Sequence, residues 1–218
     1  MDAGLELVKE YRGTSVSLQV RGDNERAKGL YHSLGFQEIS GTTYLHLGRV
    51  PKIDGIYTLP PLPQGLILRP RKYTSQDSLE AYHLATASTP PATQKEWPLY
   101  RQNFQLGGQQ WFNDLLYRMI GCGPSEHWVV EDSHRFVALI DVQPGVVNQS
   151  HQLRLITHPD WRGQLETLLI GQALDYLYNW RNKKITLRHP SEHQEAITAF
   201  QYFGFKEDQT LLWMKREL

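Results

Sequence analysis

Apolar residues recur through WRGQLETLLIGQALDYLYNW at Leu165, Leu168, Leu169, Ala173, Leu174, Tyr176 and Leu177, the spacing of a helix buried along one face. Upstream, HWVVED and RFVALIDVQ are β-rich runs parted by Ser133 and His134, which predicts an antiparallel hairpin. HQLRLITHP predicts a third strand beside them. LILRP predicts a strand over Leu66 to Arg69, and SQDSLEAYHLATAS a helix with Leu79, Tyr82 and Leu84 on its apolar side and Ser75 as its cap. The aromatic-rich stretch from Trp97 to Ile120 predicts a further helix around Trp111 to Met119. The order is strand, helix, helix, three strands, helix, strand, helix, strand. That is an α+β pattern bordering on α/β.

The end of this pattern also stands near the start of the chain. SVSLQVRGDNERAKGLYHSLGFQE (Ser15 to Glu38) falls without a gap on KITLRHPSEHQEAITAFQYFGFKE (Lys184 to Glu207), at a constant offset of 169 residues. Leu18 meets Leu187, Ala27 meets Ala196, Gly35 meets Gly204 and Phe36 meets Phe205. Each copy predicts a strand, a helix, a glycine that stops the helix, and a second strand. A register kept across the whole unit argues for duplication rather than two unrelated helices.

Met1 to about Tyr11 predicts the tail of an amphipathic helix, and at the same offset it overlies the second half of the long helix, Ile170 to Trp180. The first copy thus begins in mid-helix. Either more chain belongs upstream, or the part-copy packs on the complete one or on a second chain, in a homodimer or an intramolecular pseudo-dimer that hides its open sheet edge. After the strand around Thr43 to Leu47, GRVPKIDGIYTLPPLPQG is rich in Pro and Gly and reads as a linker. The expected division is a part-copy over 1–50, a linker over 51–65 and a complete domain over 66–218.

Charge narrows the partners. Lys plus Arg and Asp plus Glu number 23 each, so no net field gathers nucleic acid or an anionic membrane. No apolar run approaches the roughly 20 residues of a membrane span. Cys122 stands alone, so no internal disulfide forms, and the acidic, Gly-broken start does not read as a secretory signal. A cytoplasmic protein is expected. Among nine histidines, His189 and His193 have the closest spacing, yet no Cys or carboxylate cluster completes a metal site, and both read as solvated residues of a loop and a helix start. The aromatic group from Trp97 to Tyr117 reads as core.

The most informative local phrase is THPDWRG, running into the long helix. A strand that turns through Arg-Gly into a helix leaves free N–H groups at the positive end of the helix dipole, a seat suited to phosphate. HPDWRG, the long helix, ITLR and then EAITAFQYFGF together resemble the second half of the GNAT superfamily of N-acetyltransferases. LQVRGDNERAKGLYHSLGF resembles the downstream motif of that superfamily still more closely. The resemblance implies a mixed, largely antiparallel sheet flanked by helices, and acetyl transfer from acetyl-CoA, or another acyl-CoA, to a small-molecule amine.

Carried over by position, the resemblance implies a splayed strand over Gln152 to Thr157, with Ile156 among the cofactor contacts. It implies a phosphate turn built from Trp161, Arg162, Gly163, Gln164, Leu165 and Thr167. The position of the acid that protonates the departing thiolate is Phe200 in the complete copy and Tyr31 in the part copy. The Asn position is His193 in one and Asn24 in the other. His158, just after the splayed strand, is a candidate base for the amine. Three departures favour the alternative of a non-catalytic binding module: Leu165 is expected to crowd the turn, Glu166 to oppose an anion there, and Phe200 cannot donate a proton.

Overall fold

β1 (Ser15–Arg21), α1 (Glu25–Ser33) and β2 (Gln37–Leu47) form the first strand-helix-strand unit of the computed structural model, which describes residues 10–107, 123–146, 148–180 and 183–218. Asn24 caps α1 by accepting the Ala27 N–H at 3.0 Å. The helix ends in a Schellman motif, with Phe36 donating to the Tyr31 carbonyl and Gly35 to that of His32, and Gly35 at φ +83°. The closing unit repeats this. β7 (Ile185–Pro190), α5 (Gln194–Tyr202) and β8 (Lys206–Glu217) carry Phe205 N–H on the Phe200 carbonyl, Gly204 N–H on that of Gln201, and Gly204 at φ +89°. Only glycine accepts that backbone without strain.

Between the units lie β3 (Ile67–Pro70), α2 (Ser75–Ser88), α3 (Pro91–Glu96), a 3₁₀ turn at Arg101–Phe104, β4 (Glu126–Asp132), β5 (Arg135–Gln143), β6 (His151–Thr157), a second 3₁₀ turn at Pro159–Trp161 and α4 (Glu166–Tyr178). Thr74, rather than Ser75, caps α2, accepting the Asp77 N–H. Ser133 and His134 both take positive φ, as a two-residue hairpin turn between β4 and β5 requires. The helix predicted around Trp111 to Met119, nearly all of the N-terminal helix and Cys122 lie outside the described residues.

All eight strands join one sheet in the order β1-β8-β2-β7-β6-β5-β4-β3, antiparallel except for β6 and β7. β2 therefore stands between β7 and β8, and each unit's last strand pairs with the other unit's first. The two pairings share one register: Leu18 faces Met214 as Leu187 faces Leu45, and Val20 faces Leu212 as His189 faces Thr43. Where β2 meets β8, the ladder slips once at Ile39 and once at Asp208, positions again related by the offset. The pairing is thus two-fold symmetric in its topology.

Alternation along the central strands gives the sheet two buried faces. Val130, Ile140, Val142, Leu153 and Leu155 pack with the apolar stripe of α4, while Val129, Phe136 and Leu139 pack with Ala81, Leu84 and Ala85 of α2. The Pro-rich segment is held against this core. Val50 and Ile53 are buried, Leu59 and Leu62 pack on the cluster around α4, and Tyr57 sits between Tyr202 and Phe203.

Candidate functional site

β6 and β7 pair only at His151–Ile185 and Gln152–Thr186 and then diverge. His158 donates its N–H to the Val137 carbonyl on the β5 side at 2.8 Å. Alternation along the strand therefore turns the Ile156 N–H toward β5, and those of Leu155 and Thr157 into the gap beside β7. Ile156 is thus one residue out of step with the donors that face the gap. The Thr157 carbonyl is taken by the Ser88 hydroxyl at 3.0 Å, which ties the end of α2 across the opening. A groove of 400 Å³ lies at its mouth, lined among others by Ser88, Thr89, Trp97, His189 and Trp213.

The turn after β6 runs from Trp161 through Gly163, at φ +79°, to Leu165, which precedes the first residue of α4. The N–H groups of Trp161, Arg162 and Gln164 are taken by the carbonyls of His158, Pro159 and Trp161. Glu166 is 1% exposed, and its Oε2 accepts the Leu165 N–H at 3.2 Å. Its Oε1 accepts from His193 Nε2 at 2.8 Å, and a hydrogen bond of 3.0 Å joins His193 Nδ1 to His189 Nε2. Both histidines are 3% exposed, so they are buried partners rather than the solvated residues expected from the sequence. Burial pushes the Glu166 carboxyl up. The hydrogen bond from His193, with those of the Glu166 and Leu165 backbone, outweighs this and holds it below the usual range. Burial beside His193 and Arg162 pushes His189 down to about 3, leaving it neutral at physiological pH.

A carboxylate of the protein thus fills the positive end of the α4 dipole. Arg162 turns away from the same place, donating to the Ser88 carbonyl at 3.2 Å, with its Nε unpartnered among the described residues. Leu165 does not crowd the turn as expected; its side chain is fully buried in the core. Gly163 and Gln164 are exposed, and Trp161 and Thr167 half-buried. As folded, the turn does not fit a pyrophosphate, because a second anion there would lie against the buried Glu166 carboxylate, which already takes the Leu165 N–H.

The remaining candidates lie elsewhere. His158 accepts the Asp160 N–H and faces a depression beside α2 lined by Glu80, His83 and Arg135, away from the gap. Asn24 is committed to capping α1, and Tyr31 packs edge-on against Phe36 at 5.8 Å. Both belong to the unit whose β1 stands four strands from β6, so the structure does not bring them to the α4 turn. Phe200 is fully buried between His189 and Phe205. Among the described residues no group of three or more His, Cys, Asp or Glu side chains is placed to hold a metal ion, and no helix is long and apolar enough to cross a membrane.

The architecture is that of the GCN5-related N-acetyltransferases, a mixed α/β fold with a largely antiparallel sheet flanked by helices. One such acetyltransferase, from Sphaerobacter thermophilus, matches 99% of this chain at 12% identity with a TM-score of 0.57. A tandem GNAT protein from the clavulanic acid biosynthesis pathway matches 97% at 15% identity and 0.54, and a conserved protein of unknown function from Staphylococcus epidermidis matches 99% at 12% identity and 0.53. The chain spans 66% of the length of the first two and 77% of the third. The likeness is one of fold. No protein-family model matches the sequence, and no curated protein does.

Proposed function

We propose that the unit from Leu66 to Leu218 is a non-catalytic binding module on the acetyltransferase fold, and that Ser15 to Leu47 is the closing part of a second copy joined to it as an intramolecular pseudo-dimer. The observation that carries the first part is the Glu166 carboxylate at the start of α4, paired with His193 and bonded to the Leu165 N–H. Phe200 agrees with it, since a phenyl ring protonates no thiolate. The second part rests on the exchanged strands and their shared register.

Calorimetric titration with acetyl-CoA and with CoA tests the reading, and no saturable heat is expected. Saturable binding that is lost on Arg162→Ala and Gly163→Pro would overturn it.

A second reading, an acetyl-CoA-dependent N-acetyltransferase acting on an amine, draws support from the Leu155 and Thr157 N–H groups turned into the gap, where they could polarise a thioester carbonyl. Release of free thiol from acetyl-CoA over a panel of amines would establish this reading in place of the first.

A further inference from the structure

Arg71 follows β3 and extends its ladder by one bond, donating its backbone N–H to the His127 carbonyl at 2.8 Å. Its side chain then turns inward and is 4% exposed. Nη2 donates to the Phe104 carbonyl, but Nε and Nη1 have no partner among the described residues. A buried guanidinium with two unsatisfied nitrogens destabilises the fold unless something else meets that demand. Burial lowers its pKa, yet arginine stays charged at any physiological pH.

This side chain lines a cleft of 530 Å³ on the α2 face of the sheet. Asp141 is the one carboxylate among its described lining residues, and it is shared between His127 Nδ1 at 2.6 Å and Arg154 Nε at 2.8 Å. Arg188, on β7, forms the far wall. It lies over the Tyr44 ring at 5.3 Å, is exposed, and meets no carboxylate among the described residues. Three guanidiniums thus face one carboxylate, and the two that Asp141 does not satisfy stand at opposite ends. Four strand spacings, about 19 Å at the backbone, separate them, and both side chains reach into the same space. Amides of Gln152, Asn103 and Gln105 line the space between.

We propose that this cleft binds a small dicarboxylate, one carboxylate completing the donors of Arg71 and the other meeting Arg188. A single-headed anion such as phosphate satisfies one end only. The inference deepens the reading of the chain as a binding module by naming the class of its ligand, and it uses no residue of the α4 turn.

The test is calorimetry on the full chain with succinate and, separately, inorganic phosphate, with acetyl-CoA titrated in parallel. Succinate is expected to bind more tightly than phosphate. Arg188→Gln, at an exposed position, should weaken succinate several-fold, and Arg71→Gln should weaken it about tenfold or more, as for a lost hydrogen bond to a charged group. If Arg71→Gln fails to fold by circular dichroism, Arg71→Lys replaces it. No succinate binding, phosphate binding as tightly as succinate, or succinate affinity unchanged in both arginine variants would each overturn the proposal. Acetyl-CoA binding would instead sink the non-catalytic reading, so the two failures are distinguishable.

Discussion

Glu166 accepts a hydrogen bond from His193 at 2.8 Å with both side chains all but sealed from water, 2% and 4% exposed. The pair joins the first residue of α4 to the residue just before α5. It thereby closes the one helix N-terminus that the sequence marks as a phosphate seat, and it makes the stability of the fold depend on a group placed where a ligand would otherwise bind.

Removing one partner of this pair strands the other. Glu166→Ala is expected to destabilise the protein by about 1–3 kcal/mol at neutral pH, the usual cost of leaving a buried hydrogen-bonding group unsatisfied. Replacing both partners by apolar residues, as Glu166→Leu with His193→Phe, should restore most of the loss. Urea denaturation at pH 7 checks both. A single variant within about 1 kcal/mol of the parent would mean that the pair contributes little. Because the folded carboxyl titrates below its ordinary 4.5, its contribution is present above that value and fades as pH falls through the lower folded value.

His189 gives stability a second acid dependence, in a different window. Its folded pKa is about 3 against an ordinary 6.5, so between those values the unfolded chain takes up a proton that the folded chain refuses. Stability therefore falls as pH drops below 6.5 and levels off near 3. At about 1.4 kcal/mol per unit, moving from pH 7 to pH 4.5 should cost roughly 2–3 kcal/mol through this residue. Denaturation midpoints of the parent and of His189→Gln at the two pH values measure it. An equal acid loss in both proteins would remove His189 as its source.

Much of this architecture is legible in the sequence, and the missing parts share a cause. The register linking Leu18 to Leu187 and Phe36 to Phe205 lies in local patterning, as do the helix-ending Gly35 and Gly204 and the turn at Ser133 and His134. The exchange of β2 and β8 does not, because alternation says which face of a strand is buried and nothing of which strand lies beside it. Glu166 is visible as a carboxylate at a helix start, but its partner lies 27 residues further on, across the sheet's end, and no local rule joins them. Arg71 gives no signal at all. It is one basic residue after a strand, and only the fold shows that it is buried with two nitrogens unpartnered among the described residues.

Gly171 illustrates how the Pro-rich segment acts on the core. Alanine in a helix interior ordinarily gains about 1 kcal/mol over glycine. At this position a Cβ would lie 2.4 Å from Leu59 Cδ2, so the Leu59 side chain would have to turn aside or the segment shift on α4. Gly171→Ala is therefore expected to lose about 1–3 kcal/mol, the range for an overpacked site. Leu59→Ala in the same background should return part of that loss. Guanidinium unfolding followed by tryptophan fluorescence is a suitable readout, and a stabilised Gly171→Ala would show that the segment does not bear on the helix.

The strand order makes a stronger demand on the whole chain. β8 pairs only with β1 and β2, and β7 has β2 on one side and two residues of β6 on the other. Residues 66–218 expressed alone would lose both neighbours of β8, the long partner of β7, and the buried Leu45, Leu47, Val50 and Ile53. Bare strand edges seek other chains. The fragment is therefore expected to aggregate, or to dimerise by exchanging β8 between copies, and not to form a native-like monomer. Light scattering after size exclusion gives the mass, and amide exchange shows whether β8 is protected. A stable monomer with slow exchange along Lys206 to Glu217 would mean that β8 can turn back onto β7 within its own unit, and that the exchanged pairing is dispensable.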